Sequence, residues 1–232
     1  MGQDQTGNQE FLSGFRQIVP LSLGAGIYGL AFGLLAAQAQ MDGLEVGLMG
    51  TIVFAGSSQI VAIERIVAGA ASGIAVIAGI ALNLRLLLIT ASIRDIFVGR
   101  PLWQVALGAH LATDENWALM LSARARGQQA GYWYLVGAGF NLIGVWVIAT
   151  VSGVYFAGAI PEPRALGMDF AFTAAFIAIA RSLWMGKADL VPWMTSFGVV
   201  AVLVLSGIFD PSWALISGGL AGATLAGIRH HD

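Results

Sequence analysis

An all-α integral membrane protein is the fold class this sequence predicts, a polytopic bundle of seven or eight transmembrane helices with at least one helix broken or re-entrant. Three observations predict it. Of 232 residues, 57% are hydrophobic and only 10% charged, and the mean hydropathy is +0.79, whereas a soluble domain carries roughly a quarter charged residues. Apolar runs close to the ~20 residues a helix needs to cross hydrocarbon recur along the chain. The strand-like alternation of a membrane barrel is absent.

Taken in order, the runs predict helices near 17–39, 46–67, 72–92, 103–122, 131–158, 167–185, 190–208 and 211–228. Residues 1–15 read as a short polar N-terminal tail, since Met1 to Glu10 lacks the basic start and cleavage site of a secretory signal. Residues 16–232 then form a single transmembrane domain. With a net charge of −2 and no cysteine, the chain offers no basic stripe for nucleic acid and no disulfide or thiolate metal site. No metal or cofactor is expected.

The fourth run leaves the topology open, because His110 and Thr113-Asp114-Glu115-Asn116 interrupt it. If it spans, eight helices leave both ends inside. Arg16, Arg65, Arg124, Arg126, Arg181, Lys187 and Arg229 then lie inside, against Arg94, Arg100 and Arg164 outside. If it dips in and returns, seven helices put the N-terminus outside, and Arg94 and Arg100 exchange sides with Arg16 and Arg65. The positive-inside rule rates the two splits equally. A weak repeat, Gly14 to Ile93 against Gly131 to Ile208, is also readable, and transporter sites often lie at such interfaces.

Four polar clusters break the apolar runs. In the first, Gly56-Ser57-Ser58-Gln59 weakens a helix at depth, which is tolerated where the backbone is buried in protein or lines a cavity; the plainer reading is interhelical hydrogen bonding. Glu64 shares the face of Ser57 seven residues on and reads as a carboxylate able to carry a proton or, with its neighbour Arg65, as an interfacial anchor pair. The second cluster holds Asn83 and Arg85. A guanidinium near the centre of a span costs ~3 kcal/mol on insertion scales, so it needs a partner, a wet cavity or a substrate. Arg85 suits a carboxylate bidentately, either a substrate's or that of Asp114, Glu115 or Glu64. Positions 83 and 85 point roughly 200° apart, so the helix is broken there or packed on several sides.

In the third cluster, His110, Asp114 and Trp117 share one face if the helix is continuous. Thr113 followed by Asp114 and Glu115 also reads as a capped helix start inside the membrane. In the fourth, Asp169 follows Pro161-Glu162-Pro163-Arg164 and suits a helix N-terminus. Gly29 and Gly33, and again Gly218, Gly222 and Ala226, allow close helix approach, within the chain or against another subunit. The seven tryptophans read partly as interface anchors.

At these residues the chain resembles the AzlC family, the large subunit of branched-chain amino-acid exporters of the LIV-E type. The matching stretches are Ala31-Phe32-Gly33, Phe54-Ala55-Gly56-Ser57-Ser58-Gln59, Asn83-Leu84-Arg85, Thr113-Asp114-Glu115 and Gly167-Met168-Asp169-Phe170-Ala171-Phe172. The sequence departs at Leu86, where the family often has His, and around Ile27-Tyr28-Gly29, where a proline is common. The resemblance implies an inner-membrane permease exporting leucine, isoleucine, valine and in some members methionine. It also implies a small AzlD-type membrane subunit as partner.

Nothing here resembles a nucleotide-binding loop, so transport is expected to be proton-coupled. Gly56, Ser57, Ser58, Gln59 and Asn83 are the polar lining, Arg85 the carboxylate clamp, and Asp114 or Glu115 the proton carrier. Other readings are a transporter or channel for another small carboxylate or amino-acid analogue, and a non-transporting membrane scaffold. No enzyme is expected, since His-Glu-x-x-His and Gly-x-Ser-x-Gly are both missing.

Overall fold

The computed structural model of the chain describes residues 2–67, 69, 72–159, 177, 184, 186–207 and 211–229. These are helical with short connections, and no strand occurs among them. The chain is an all-α membrane protein that divides into two compact units, Met1–Ala171 and Phe172–Asp232. The expected helix 167–185, Asp169 with its motif, and the second half of the expected repeat fall wholly or partly outside the described residues.

The first unit holds α1 (Gly2–Gln17), α2 (Val19–Gln38), α3 (Gly43–Ile52), α4 (Gly56–Val67), α5 (Ser72–Ser92), α6 (Leu102–Leu111), α7 (Asp114–Ala125) and α8 (Tyr132–Phe156). Most of the segment expected as a polar tail is therefore α1, and it packs across the start of α8. A Cβ on Gly14 would strike the Tyr134 carbonyl, and one on Gly137 the Phe11 carbonyl.

Among the described residues α2 and α8 are long and apolar enough to cross a membrane, as is Lys187–Leu205 in the second unit. Helices α2 and α8 run parallel, with Gly26 facing Val145, Gly29 facing Ala149 and Gly33 facing Gly153. At the last pair the helix backbones touch, which only a missing side chain allows.

The run expected as one helix over 46–67 is instead two half-helices, α3 and α4, about 15 and 18 Å long at 1.5 Å per residue. α3 starts against the end of α8 and runs back along it, since Gly43 meets Tyr155, Gly47 meets Val151 and Gly50 meets Val147. Near mid-depth Phe54 takes a left-handed backbone (φ 40°), a conformation that costs a non-glycine residue of order 1–3 kcal/mol and clusters at functional sites. α4 then returns antiparallel to α5, to which a four-residue link joins it.

The run expected over 103–122 behaves likewise, as α6 and α7. The Tyr132 hydroxyl donates to the Gln104 carbonyl (2.8 Å), so α6 starts beside the beginning of α8. Arg124, at the end of α7, donates to the Ala130 carbonyl (2.8 Å) and pairs with Asp95 just after α5 (3.0 Å). Both ends of this hairpin thus lie on one membrane face. It dips in and returns, as in the second topological reading, and the α3–α4 hairpin, which that reading took as one spanning helix, does the same from the opposite face.

The order is therefore a crossing helix and a hairpin re-entering where that helix emerged, α2 with α3–α4, then the same unit inverted, α5 with α6–α7. This inverted repeat differs from the Gly14-to-Ile93 and Gly131-to-Ile208 pairing. In the second unit α9 (Leu190–Leu205) and α10 (Pro211–Arg229) pack antiparallel, with Gly218 against Ser196 and Gly222 against Pro192. That small-residue face is used within the chain.

Candidate functional site

The hairpin tips meet. His110, at the end of α6, places Nε2 2.9 Å from the Thr51 carbonyl near the end of α3. A carbonyl only accepts, so Nε2 carries the proton in this contact. The His110 ring also lies 6.3 Å from that of Phe54. Four half-helix ends, with their unpaired backbone groups and partial charges, converge at depth.

α7 starts as its sequence demands. The Thr113 hydroxyl accepts from the Asn116 N–H (3.4 Å) while the Asn116 side chain accepts from the Thr113 N–H (2.8 Å), a reciprocal cap. Asn116, fully buried, also donates to the Leu111 carbonyl across the tip (2.7 Å). Asp114 and Glu115 fall in the first turn, at the positive dipole end.

Arg85 joins both hairpins. Its Nη1 pairs with Asp114 Oδ2 of α7 at 2.6 Å, and its Nη2 donates to Ser57 Oγ of α4 at 2.8 Å. Ser58 Oγ donates to Asn83 Oδ1 at 2.6 Å. α5 is continuous from Ser72 to Ser92, so of the two expectations for Asn83 and Arg85, a break or packing on several sides, the break is not there. The 200° offset is absorbed by packing: α5 faces α4 and α7, the long arginine side chain spans between them, and Ser57 and Ser58 themselves point ~100° apart. The pair is not sealed, with 40% of the Arg85 side chain and 20% of the Asp114 side chain exposed.

Gly56 and Gln59 face the other way, toward α8. Trp146 Nε1 donates to Gln59 Oε1 (3.1 Å), and the same indole covers Gly56 so closely that a Cβ there would lie 2.8 Å from its ring. The Trp146 ring packs in turn on Phe32 and Tyr28 of α2, at 5.9 and 5.7 Å. Tyr28 lies within electrostatic range of Arg85, Glu64 and Glu115.

The structure thus brings together two neighbouring bonded sets, Ser57 with Arg85 and Asp114, and Ser58 with Asn83, with Gly56 and Gln59 behind them and Glu115 beside Asp114. Of the three carboxylates considered for Arg85, Asp114 is the one bonded. The shared face of His110, Asp114 and Trp117 does not form, because α6 ends at Leu111 before α7 begins. His110 turns to Thr51, and Trp117 donates to Ser92 Oγ (2.9 Å). Sequence reasoning missed Trp146 and the capping role of Asn116. The signal for Trp146 was its place halfway along an apolar span, away from the interface where tryptophan usually anchors.

Comparison with known proteins agrees with a membrane transporter. The family model described as AzlC protein matches residues 20–160. The inner membrane protein YgaZ of Escherichia coli K12 is 26% identical over 235 residues, covering 98% of this chain and 94% of that protein. An uncharacterized membrane protein of Helicobacter pylori J99 is 27% identical, covering 85% and 92%. The branched-chain amino acid transport protein AzlC of Bacillus subtilis 168 is 25% identical, covering 85% and 77%. No solved structure matches.

Proposed function

Since the chain belongs to the AzlC family, a family of membrane transport proteins, we propose that it exports branched-chain amino acids across the inner membrane. Leucine, isoleucine and valine, with methionine, are the substrates of this reading, the proton gradient the driving force, and a small AzlD-type membrane subunit the partner. The observation that carries it is the Arg85–Asp114 pair at the meeting point of two oppositely inserted hairpins. Charges at that depth are expensive and mark substrate or proton pathways, and irregular backbone is tolerated there where it lines a cavity.

The chemistry follows from the bonds. While Asp114 is ionised it binds Arg85, which also holds Ser57, so α7 is tied through α5 to α4. A proton on Asp114 removes one charge of the pair and loosens that tie, freeing one hairpin to move relative to the other. Proton uptake and hairpin movement are then one event, as coupled transport requires. The apolar side chains around the tips receive the aliphatic part of the substrate.

The distribution of arginines supports an orientation. Arg16, Arg94, Arg100, Arg124 and Arg126 lie on the face where α2 and α8 begin, and Arg65 on the face where they end. By the positive-inside rule the first face is cytoplasmic, so α6–α7 enters from the cytoplasm and α3–α4 from outside. On this reading the N-terminus lies inside, where the seven-helix expectation had it outside.

Purified protein in proteoliposomes, with and without the small subunit, tests the reading. Saturable efflux of labelled leucine that quickens with an imposed proton gradient and slows with an uncoupler is expected. Non-saturating flux indifferent to the gradient, or none in either preparation, contradicts it.

A further inference from the structure

The two half-helix N-termini that meet at mid-depth are not alike. That of α7 is capped by Thr113 and neutralised by Asp114 and Glu115. That of α4 follows Ala55, which has no capping group, and its first turn carries no acid. The Ser57 and Ser58 hydroxyls are engaged with Arg85 and Asn83 rather than with their own helix. The Gln59 N–H is taken by the Ala55 carbonyl, but the N–H groups of Gly56, Ser57 and Ser58 lie in the turn where a helix supplies no acceptor.

A second observation points to what fits there. Gln59 is completely buried and its Nε2 has no acceptor. Its orientation is not arbitrary, because the Trp146 indole only donates and therefore requires Gln59 Oε1. Side chains in a helix lean over the turn preceding their own Cα, and the Trp146 ring that meets this amide also covers Gly56. The free amide therefore leans toward the turn that carries the unpaired backbone N–H groups. Every unspent group at this end of α4 is a donor, and the arginine touching its first turn is a cation.

We propose that the N-terminus of α4, with Gln59 Nε2, is the seat of the substrate carboxylate. Arg85 then acts chiefly to couple the hairpins, one hydrogen of each Nη going to Asp114 or Ser57, while its Nε, buried without an acceptor, adds one more donor to this neighbourhood. Gly56 is required because a side chain there would collide with Trp146. This assignment rests on the amino-acid transport reading and narrows it to compounds with a free carboxylate.

The test is thermal stabilisation of the purified full chain by L-leucine and by L-leucinol, which lacks the carboxylate. Leucine is expected to stabilise the wild type, and leucinol to need at least about tenfold more for the same shift, since the charge-assisted bonds are lost. Gln59→Glu, which puts a like charge beside the seat, and Ala55→Asp, which supplies a competing cap, are each expected to raise the leucine requirement by about tenfold or more. Leucinol acting as well as leucine on the wild type, or both variants responding to leucine as the wild type does, overturns the carboxylate seat and leaves amino-acid transport standing. A wild type indifferent to leucine, with no leucine flux in proteoliposomes, removes the transport reading itself.

Discussion

Arg85→Ala is expected to reach the membrane, remain folded and lose leucine efflux by about tenfold or more, a change of the size coupling free energies produce. Breaking a fully buried ion pair costs about 3–5 kcal/mol, but at 40% and 20% exposure the cost here is discounted to ~1–2 kcal/mol. Stability and transport therefore separate. Asp114→Asn is the informative companion. It preserves shape and a hydrogen bond to Arg85 but removes the titratable charge, so residual efflux should no longer respond to the proton gradient. Efflux measured in vesicles with and without a gradient, alongside a melting curve, checks both. Gradient-driven efflux retained by Asp114→Asn would take the proton from Asp114 and send the search to Glu115 or Glu64.

The largest structural effect is expected at Gly33. A Cβ there would land on the Thr150 carbonyl and 2.8 Å from the Gly153 Cα, both on the backbone of α8. Backbone cannot swing aside as a flexible side chain does, so Gly33→Ala must part α2 from α8. Overpacking of this kind costs about 1–3 kcal/mol and at times more. Gly24, on the same helix with nothing within 4 Å of an added Cβ, is the internal control. Gly24→Ala should match or slightly exceed the wild type, because alanine favours helix over glycine by up to ~1 kcal/mol. Melting temperatures in detergent compare the two, and equal losses would mean that the α2–α8 approach is looser than described.

How much of this was legible in the sequence depends on the signal each feature leaves. The crossing helices were plain: the run 17–39 became Val19–Gln38 and 131–158 became Tyr132–Phe156, because hydropathy reports contact with lipid over ~20 residues. The hairpins were not, since ~20 apolar residues look alike whether they cross once or go half-way and return. What marked them was local: Gly56-Ser57-Ser58, and Thr113 with the two acids after it. These signalled breaks correctly and left the direction of the chain beyond each break undetermined. Direction came from contacts far apart in sequence, such as Gly43 with Tyr155 and Arg124 with Asp95.

The site followed the same rule. Ser57, Arg85 and Asp114 stood out as polar groups at a depth where they are expensive. Which carboxylate met the arginine was a question of tertiary placement, because Asp114 lies 29 positions beyond Arg85. His110 illustrates the opposite case. Its spacing to Asp114 fits one helical face only if the helix continues, and the Thr113 cap that ends this continuity was legible in the same four residues. Two readings that shared a segment were in fact exclusive, and the capping box decided between them.

Both broken helices turn back within the membrane, and the site exists only because they do. The chain has no cysteine, so single-cysteine variants Met41→Cys, Val67→Cys, Val98→Cys and Gln128→Cys can be labelled with a membrane-impermeant maleimide in intact cells and in inverted vesicles. Two re-entrant hairpins predict that positions 41 and 67 label from outside and positions 98 and 128 from the cytoplasmic face. Labelling of 41 and 67, or of 98 and 128, from opposite faces would mean that the segment between them spans the membrane, and would contradict the fold and the site built on it.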